Sequence, residues 1–139
     1  TEVRRQRQMC IRDRIDVIVS DHKPEDEESK RLTFAQAATG ASGIETLLSL
    51  SLELYHNGSL KLETIIKALT SNPAKILKIN KGNLSIGNDA DLCIVDIGKP
   101  WIVKKDKLIS KSKNTSIEDK KLQGKVTNTF VKGKELFKL

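Results

Sequence analysis

An α/β chain is predicted, on three observations. A β-branched run, IDVIVS, occupies residues 15–20; apolar residues at 3-and-4 spacing fill much of 43–77; short strand-like segments bounded by turn residues follow residue 80. Helices followed by strands suggest two packing units with a boundary near residue 80. Taken alone, this plan supports a soluble α/β piece and no particular chemistry.

Composition narrows the class. The 139 residues are 37% apolar and 31% charged, with mean hydropathy −0.38, enough for one domain with a core of its own. No apolar run approaches the length of a bilayer-crossing helix, and arginines interrupt the first 14 residues where a secretory signal would need an apolar stretch. The two cysteines, Cys10 and Cys93, lack metal-ligand spacing. Cys93, within the apolar run Leu92-Cys93-Ile94-Val95, reads as a buried free thiol. The expected compartment is the cytoplasm, without a membrane partner.

The net charge of +7 raises the question of nucleic acid. Residues 1–14 contribute +3 of it, and the other 125 residues contribute +4 through scattered lysines. No aromatic residues alternate with those lysines to form a base-stacking platform, so a solvated basic surface is expected and a nucleic-acid partner is not.

Five of the six arginines are Arg4, Arg5, Arg7, Arg12 and Arg14; only Arg31 lies outside that segment. The stretch RRQRQMCIRDR has neither helical nor strand periodicity, and it resembles one reading frame of a transposase-type sequencing-library adapter. Residues 1–14 are therefore expected to be a non-native leader, with the natural gene continuing upstream of Ile15.

The elements follow in order. Residues 15–20 read as a buried strand ending at Asp21-His22. Residues 23–33, charged and containing Pro24, read as a surface loop. From Gly43 to Tyr55, Ile44, Leu47, Leu48, Leu52 and Tyr55 give a helical stripe that Leu50 and Leu54 widen. Asn57-Gly58 stops it, and His56 in its last turn has a capping or surface role. Leu62, Ile65, Ile66 and Leu69 define a second helix. Ser71-Asn72-Pro73 reads as an N-cap with proline opening a short third helix to Leu77. Strands are expected at Ala90 to Ile97, Trp101 to Val103, Lys125 to Val131 and Glu135 to Phe137, the last two joined at Lys132-Gly133-Lys134.

Five segments, in order, resemble the cyclic amidohydrolases, and the dihydroorotases most closely. Ser20-Asp21-His22-Lys23-Pro24 resembles the family's S-D-H-x-P stretch. Phe34 to Thr46 (FAQAATGASGIET) is similar to its loop ending in G-x-x-G-[LI]-E-T. Residues 71–77 match N-P-A-x-[IL]-[LF], and residues 82–92 match G-x-L-x-x-G-x-D-A-D-[LI]. Ser110-Lys111-Ser112-Lys113-Asn114-Thr115 leans towards dihydroorotase. The resemblance implies an (α/β)8 TIM-type barrel with a small flanking β-sandwich. Residues 15–80 would be the end of the barrel, with its last strand and following helices, and 81–139 the C-terminal sandwich portion. Catalytic groups of such barrels sit at the C-terminal ends of strands, where Asp21 falls.

The chemistry implied is ring-opening of a small cyclic amide, dihydroorotate, or its closure from N-carbamoyl-aspartate. Zinc would acidify water and polarise the carbonyl. Asp21 would be both a metal ligand and the general base that carries a proton to the leaving nitrogen. One carboxylate does not hold zinc, since catalytic sites take three protein ligands. The family's His-x-His pair, carboxylated lysine and further histidines are missing from this sequence, so the chain alone is expected to be inactive.

Substrate contacts are implied for Lys23, Glu25 and the backbone from Ala38 to Gly40, where Ala38 and Thr39 replace the family's proline and aromatic residue. Glu25 stands where the family carries a histidine that contacts the substrate carboxylate. Two carboxylates about 4 Å apart repel by ~1–4 kcal/mol depending on the effective dielectric. Either Glu25 points away and Lys23 supplies the cation, or another cyclic amide is the substrate, as in allantoinase or hydantoinase. A third reading is a non-catalytic homologue that partners aspartate carbamoyltransferase; a homodimer is the other assembly considered. His22 is expected to support the loop, and Asn114 to stabilise a turn.

Overall fold

The computed structural model describes residues 15–139, so the arginine-rich segment read as a leader lies outside the described residues. The chain divides into two compact units. One comprises residues 15–18, 54–95 and 126–139, the other residues 19–53 and 96–125. Among the described residues there are four α-helices: α1 (Glu27–Lys30), α2 (Leu47–His56), α3 (Leu62–Leu69) and α4 (Ser71–Ile76). The strands of the described residues, β1 (Leu92–Ile102), β2 (Lys121–Val131) and β3 (Lys134–Lys138), form one sheet in the order β1-β2-β3. Among the described residues no helix is long and apolar enough to cross a membrane.

In the first unit, the 3-and-4 spacing of α3 buries Ile65 and Ala68, and Ala74 of α4 is also buried. Helix α4 begins at Ser71, two residues before the expected Pro73, with Thr70 as its N-cap. Asn72 does not cap it: its side-chain amide donates to the Asp16 carbonyl at 2.9 Å. Residues 15–20 form no strand, contrary to expectation, and Ile15 is 51% exposed. A strand exists through its ladder, and the sheet of the described residues excludes this segment. The Ile18 N–H donates instead to the Ala68 carbonyl.

The motif at 82–92 is a clasp. Lys81 pairs with Asp89 at 2.7 Å and Asp91 at 2.6 Å. Asp91 also accepts the Lys132 N–H at 2.8 Å, and the Ala90 carbonyl accepts the Gly133 N–H. The hairpin falls where expected. Lys132 and Gly133 have φ of 50° and 76°, as a two-residue turn with both central residues left-handed requires, and β2 and β3 pair antiparallel from Val131↔Lys134. Cys93 is exposed rather than buried. Its apolar neighbours predicted cover on both faces of the strand, and the described residues supply too little of it: Ile94 is half exposed as well.

In the second unit, Val103, Leu108 and Leu122 form a core against which Leu50, Trp101 and Ile117 pack. The two strands expected at Ala90 to Ile97 and Trp101 to Val103 are one continuous β1. Pro100 lies within it, which its edge position allows because an edge strand need not donate on both sides. The segment 23–33 is not all loop. Asp26 accepts the Ser29 N–H at 2.7 Å and caps α1, and that bond holds the Asp26 carboxyl below the ordinary aspartate value. In α2 the fully buried side chain is Leu52, and the other buried positions are Ser49 and Ser51. Ser49 Oγ donates to the Gly124 carbonyl at 2.6 Å, and Trp101 Nε1 donates to Ser49 Oγ at 3.1 Å.

Candidate active site

Every residue singled out in the sequence as catalytic or substrate-binding lies in the second unit. Two loops interlock there. The Lys23 N–H donates to the Ala41 carbonyl at 3.1 Å. A Cβ on Gly40 would stand 2.5 Å from the Lys23 carbonyl oxygen, and one on Gly43 would stand 2.8 Å from that of Ser20. The G-x-x-G spacing of Gly40 and Gly43 thus permits backbone-on-backbone contact that any side chain would block.

Asp21 lies between these two close approaches. Its φ is +43°, a left-handed conformation that aspartate tolerates better than most residues. Its carboxylate is exposed, with no partner among the described residues. Adjacent His22 is half-buried, and its Nδ1 accepts the Gly43 N–H at 3.1 Å and the Ile44 N–H at 3.4 Å. The loop bearing Asp21 is held by its neighbours while the carboxylate itself is exposed.

Glu25 is not a bare carboxylate. Lys23 Nζ stands 3.6 Å from Glu25 Oε1, with Lys23 the more exposed partner. Each charge is offset by the other, so the repulsion estimated for an isolated Glu25 does not apply as it stands. The Ala38 N–H donates to the Ser29 carbonyl at 3.1 Å, and its own carbonyl accepts Lys30 Nζ at 2.6 Å. The amides of Thr39 and Gly40 keep their N–H groups without a partner among the described residues.

A third segment braces both loops. Asn114 Nδ2 donates to the Gly40 carbonyl at 3.2 Å, and the Asn114 carbonyl accepts the Ser42 N–H at 2.7 Å. Ser112 Oγ donates to the Glu25 carbonyl, and buried Ser42 donates to the Ser112 carbonyl at 2.9 Å. Glu45 accepts the Ile109 and Ser110 N–H groups at 2.9–3.0 Å. Sequence reasoning missed these bracing roles of Ser42, Glu45 and Ser112. The signal available was the small-residue run at 40–43 and the polar run at 110–115, sixty-odd residues apart and without a local pattern to join them.

Among the described residues no group of three or more histidine, cysteine, aspartate or glutamate side chains could hold a metal ion. His22 Nδ1 is already occupied by backbone N–H groups. The donors present therefore do not by themselves fit a catalytic zinc ion.

Comparison with known proteins places the chain in a family. The amidohydrolase family model matches residues 7–136, and the chain belongs to that family of hydrolases. Its curated relatives include the dihydroorotases of Ehrlichia chaffeensis, 44% identical over 124 residues, and Wolbachia sp. subsp. Drosophila simulans, 43% identical over 123 residues. These alignments take in 89% and 88% of this chain and 28% of each relative, so the chain spans just over a quarter of their length. Among solved structures, L-hydantoinase from Arthrobacter aurescens superposes with a TM-score of 0.85 at 30% identity, over 99% of this chain and 32% of that one. The α/β expectation stands: the helices and the small sheet correspond to the C-terminal part of a TIM-type barrel amidohydrolase with its flanking strands.

Proposed function

We propose that this chain is the C-terminal part of a dihydroorotase, which opens the ring of dihydroorotate and closes N-carbamoyl-aspartate in pyrimidine biosynthesis in the cytoplasm. Residues 15–80 are then the end of the barrel and 81–139 the sandwich portion. The observation that carries the reading is identity above 40% to dihydroorotases across nearly nine-tenths of the chain. The unpartnered carboxylate of Asp21 supports it. In ring opening, water oxygen attacks the amide carbonyl carbon and the C–N bond breaks. Asp21 takes the proton that water loses and delivers it to the departing nitrogen. Lys23, Glu25 and the free amides of Thr39 and Gly40 face the substrate from the same pair of loops.

On this reading Asp21 is the one metal ligand of the stretch, zinc being the metal the family resemblance implies. On the same reading the chain alone is inactive, because catalytic zinc takes three protein ligands and Asp21 is one. The parent's partners are its small-molecule substrate and either a second copy or aspartate carbamoyltransferase. A hydantoin-type substrate is the second reading, favoured by the 30% identity to L-hydantoinase.

The test is a chimera in which residues 15–139 replace the matching stretch of the Ehrlichia dihydroorotase. Turnover of dihydroorotate, lost by at least about 10²-fold in Asp21→Asn as expected for a positioned general base, supports the proposal. A folded chimera that opens hydantoin or dihydrouracil and leaves dihydroorotate untouched favours the second reading. A folded chimera with no activity on any of the three rejects both.

A further inference from the structure

We propose that His22 is a positioning residue, acting through an unprotonated Nδ1 that ties Asp21 to the start of helix α2. The inference rests on the reading of Asp21 as the reactive carboxylate, and its geometry can be tested without catalysis.

The first N–H groups of a helix have no partner within it. Here the Thr46 and Leu47 N–H groups donate to the Gly43 carbonyl at 3.3 and 3.0 Å, so the turn into α2 begins at Gly43. The amides that open this turn, Gly43 and Ile44, both point at His22 Nδ1. His22 thus satisfies two N–H groups at the entry to the helix from 21 residues away, where a serine or aspartate N-cap would satisfy one a little further in. An imidazole that accepts at Nδ1 carries its proton on Nε2.

The consequence falls on Asp21. Its left-handed backbone is costly for a non-glycine residue and persists only where its surroundings enforce it. On one side Ser20 is pressed against Gly43, and on the other His22 is bonded to Gly43 and Ile44. With Asp21 itself unpartnered, the imidazole is the only side chain within residues 20–22 that fastens this bend to the next loop.

The two ring nitrogens can be separated by substitution. Asparagine places its side-chain oxygen near the position of Nδ1, and glutamine reaches the position of Nε2. The experiment uses the full 139-residue chain, isotope-labelled for NMR. The readouts are the His22 ring nitrogen shifts, amide hydrogen exchange at Gly43 and Ile44, and the Asp21 Cα shift, which reports its backbone conformation. Expected are a wild-type ring protonated at Nε2, and a His22→Asn variant that keeps slow exchange and the Asp21 shift. His22→Gln and His22→Ala should exchange at least about 10-fold faster, the loss of a bond worth ~1.4 kcal/mol. A wild-type ring protonated at Nδ1 overturns the proposal, and it needs no variant to fold. So does rescue by glutamine in place of asparagine, or an unchanged Asp21 shift in His22→Ala. None of these outcomes depends on turnover, so an inactive chimera would sink the functional reading and leave this one to be decided by the spectra.

Discussion

Replacing Gly124 by alanine should lower the stability of the second unit by about 1–4.6 kcal/mol, through two separable effects. Gly124 has φ +96°, and a Cβ there would stand 2.3 Å from Leu52 Cδ1 and 3.5 Å from the Ile97 carbonyl oxygen. Leu52 is fully buried, so it has no solvent to swing into. Forcing a methyl into such a site costs about 1–3 kcal/mol, and left-handed backbone adds roughly 1–2 kcal/mol for an L-residue. The lower unfolded-state entropy of alanine returns about 0.4–1 kcal/mol. Gly98→Ala is the control: its φ is unrestricted and its nearest neighbour is Asp96 Oδ1 at 3.8 Å, so its effect should be within about 0.5 kcal/mol or slightly stabilising. The assay is urea unfolding followed by emission of Trp101, the single tryptophan. Its indole donates to Ser49 Oγ and to the Gly124 carbonyl, and Lys125 Nζ stands 5.1 Å from the ring centroid. Equal midpoints for the two alanine variants, with unchanged slopes, would falsify the packing account.

Two other expectations are open to direct measurement. Gly40→Ala should push residues 20–23 off the 40–43 loop, because its Cβ meets backbone at Lys23 and not a yielding side-chain tip; exchange of the Lys23 amide should rise by about 10–100-fold for an opening cost of ~1.4–2.8 kcal/mol, and an unaltered rate would contradict the interlock. The Lys81 clasp should make the first unit sensitive to pH at both ends. Hydrogen bonding from Lys81, and then from the Lys132 N–H, holds Asp91 below its ordinary value of 3.8, so its contribution is present above pH 3.8 and lost as pH falls through the lowered value. Bonding to Asp89 and then Asp91 holds Lys81 above 10.5, so its contribution is present below pH 10.5 and lost as pH rises through the raised value. Asp91→Asn should flatten the acid arm and reduce the alkaline one in a plot of Lys132 amide protection against pH; two unchanged arms would show that the clasp is not coupled to folding.

What the sequence disclosed and what it hid divide along a physical line. Helix α3 and the Lys132-Gly133 turn were legible because a helical stripe and a two-residue hairpin are local, written into spacing and into φ. The strand at 15–20 and the burial of Cys93 were read from apolar runs, which report a preference for burial but not whether a neighbour is there to satisfy it. Helix α1 was missed because its stability comes from one capping carboxylate, Asp26, within a stretch whose charge and proline signal a loop. For the site, Asp21 and the loop at 38–40 came from motif resemblance. The Lys23–Glu25 pair and the bracing by Ser42, Ser112 and Asn114 are tertiary facts with no periodicity to announce them.

Helix α2 carries more leucines than its buried positions use. It is fixed by a hydroxyl: Ser49 reaches the Gly124 carbonyl, whereas Ser51 only bonds back within the helix to the Leu47 carbonyl at 2.7 Å. A greasy seam is forgiving, because one aliphatic side chain slides into another's place with little loss. A hydroxyl that has met a carbonyl is not, because moving the helix by a single residue leaves a donor facing carbon. The familiar ranking of tolerance is therefore inverted along this helix. Several of its leucines can be exchanged for other apolar residues, while Ser49 is the side chain that sets its register.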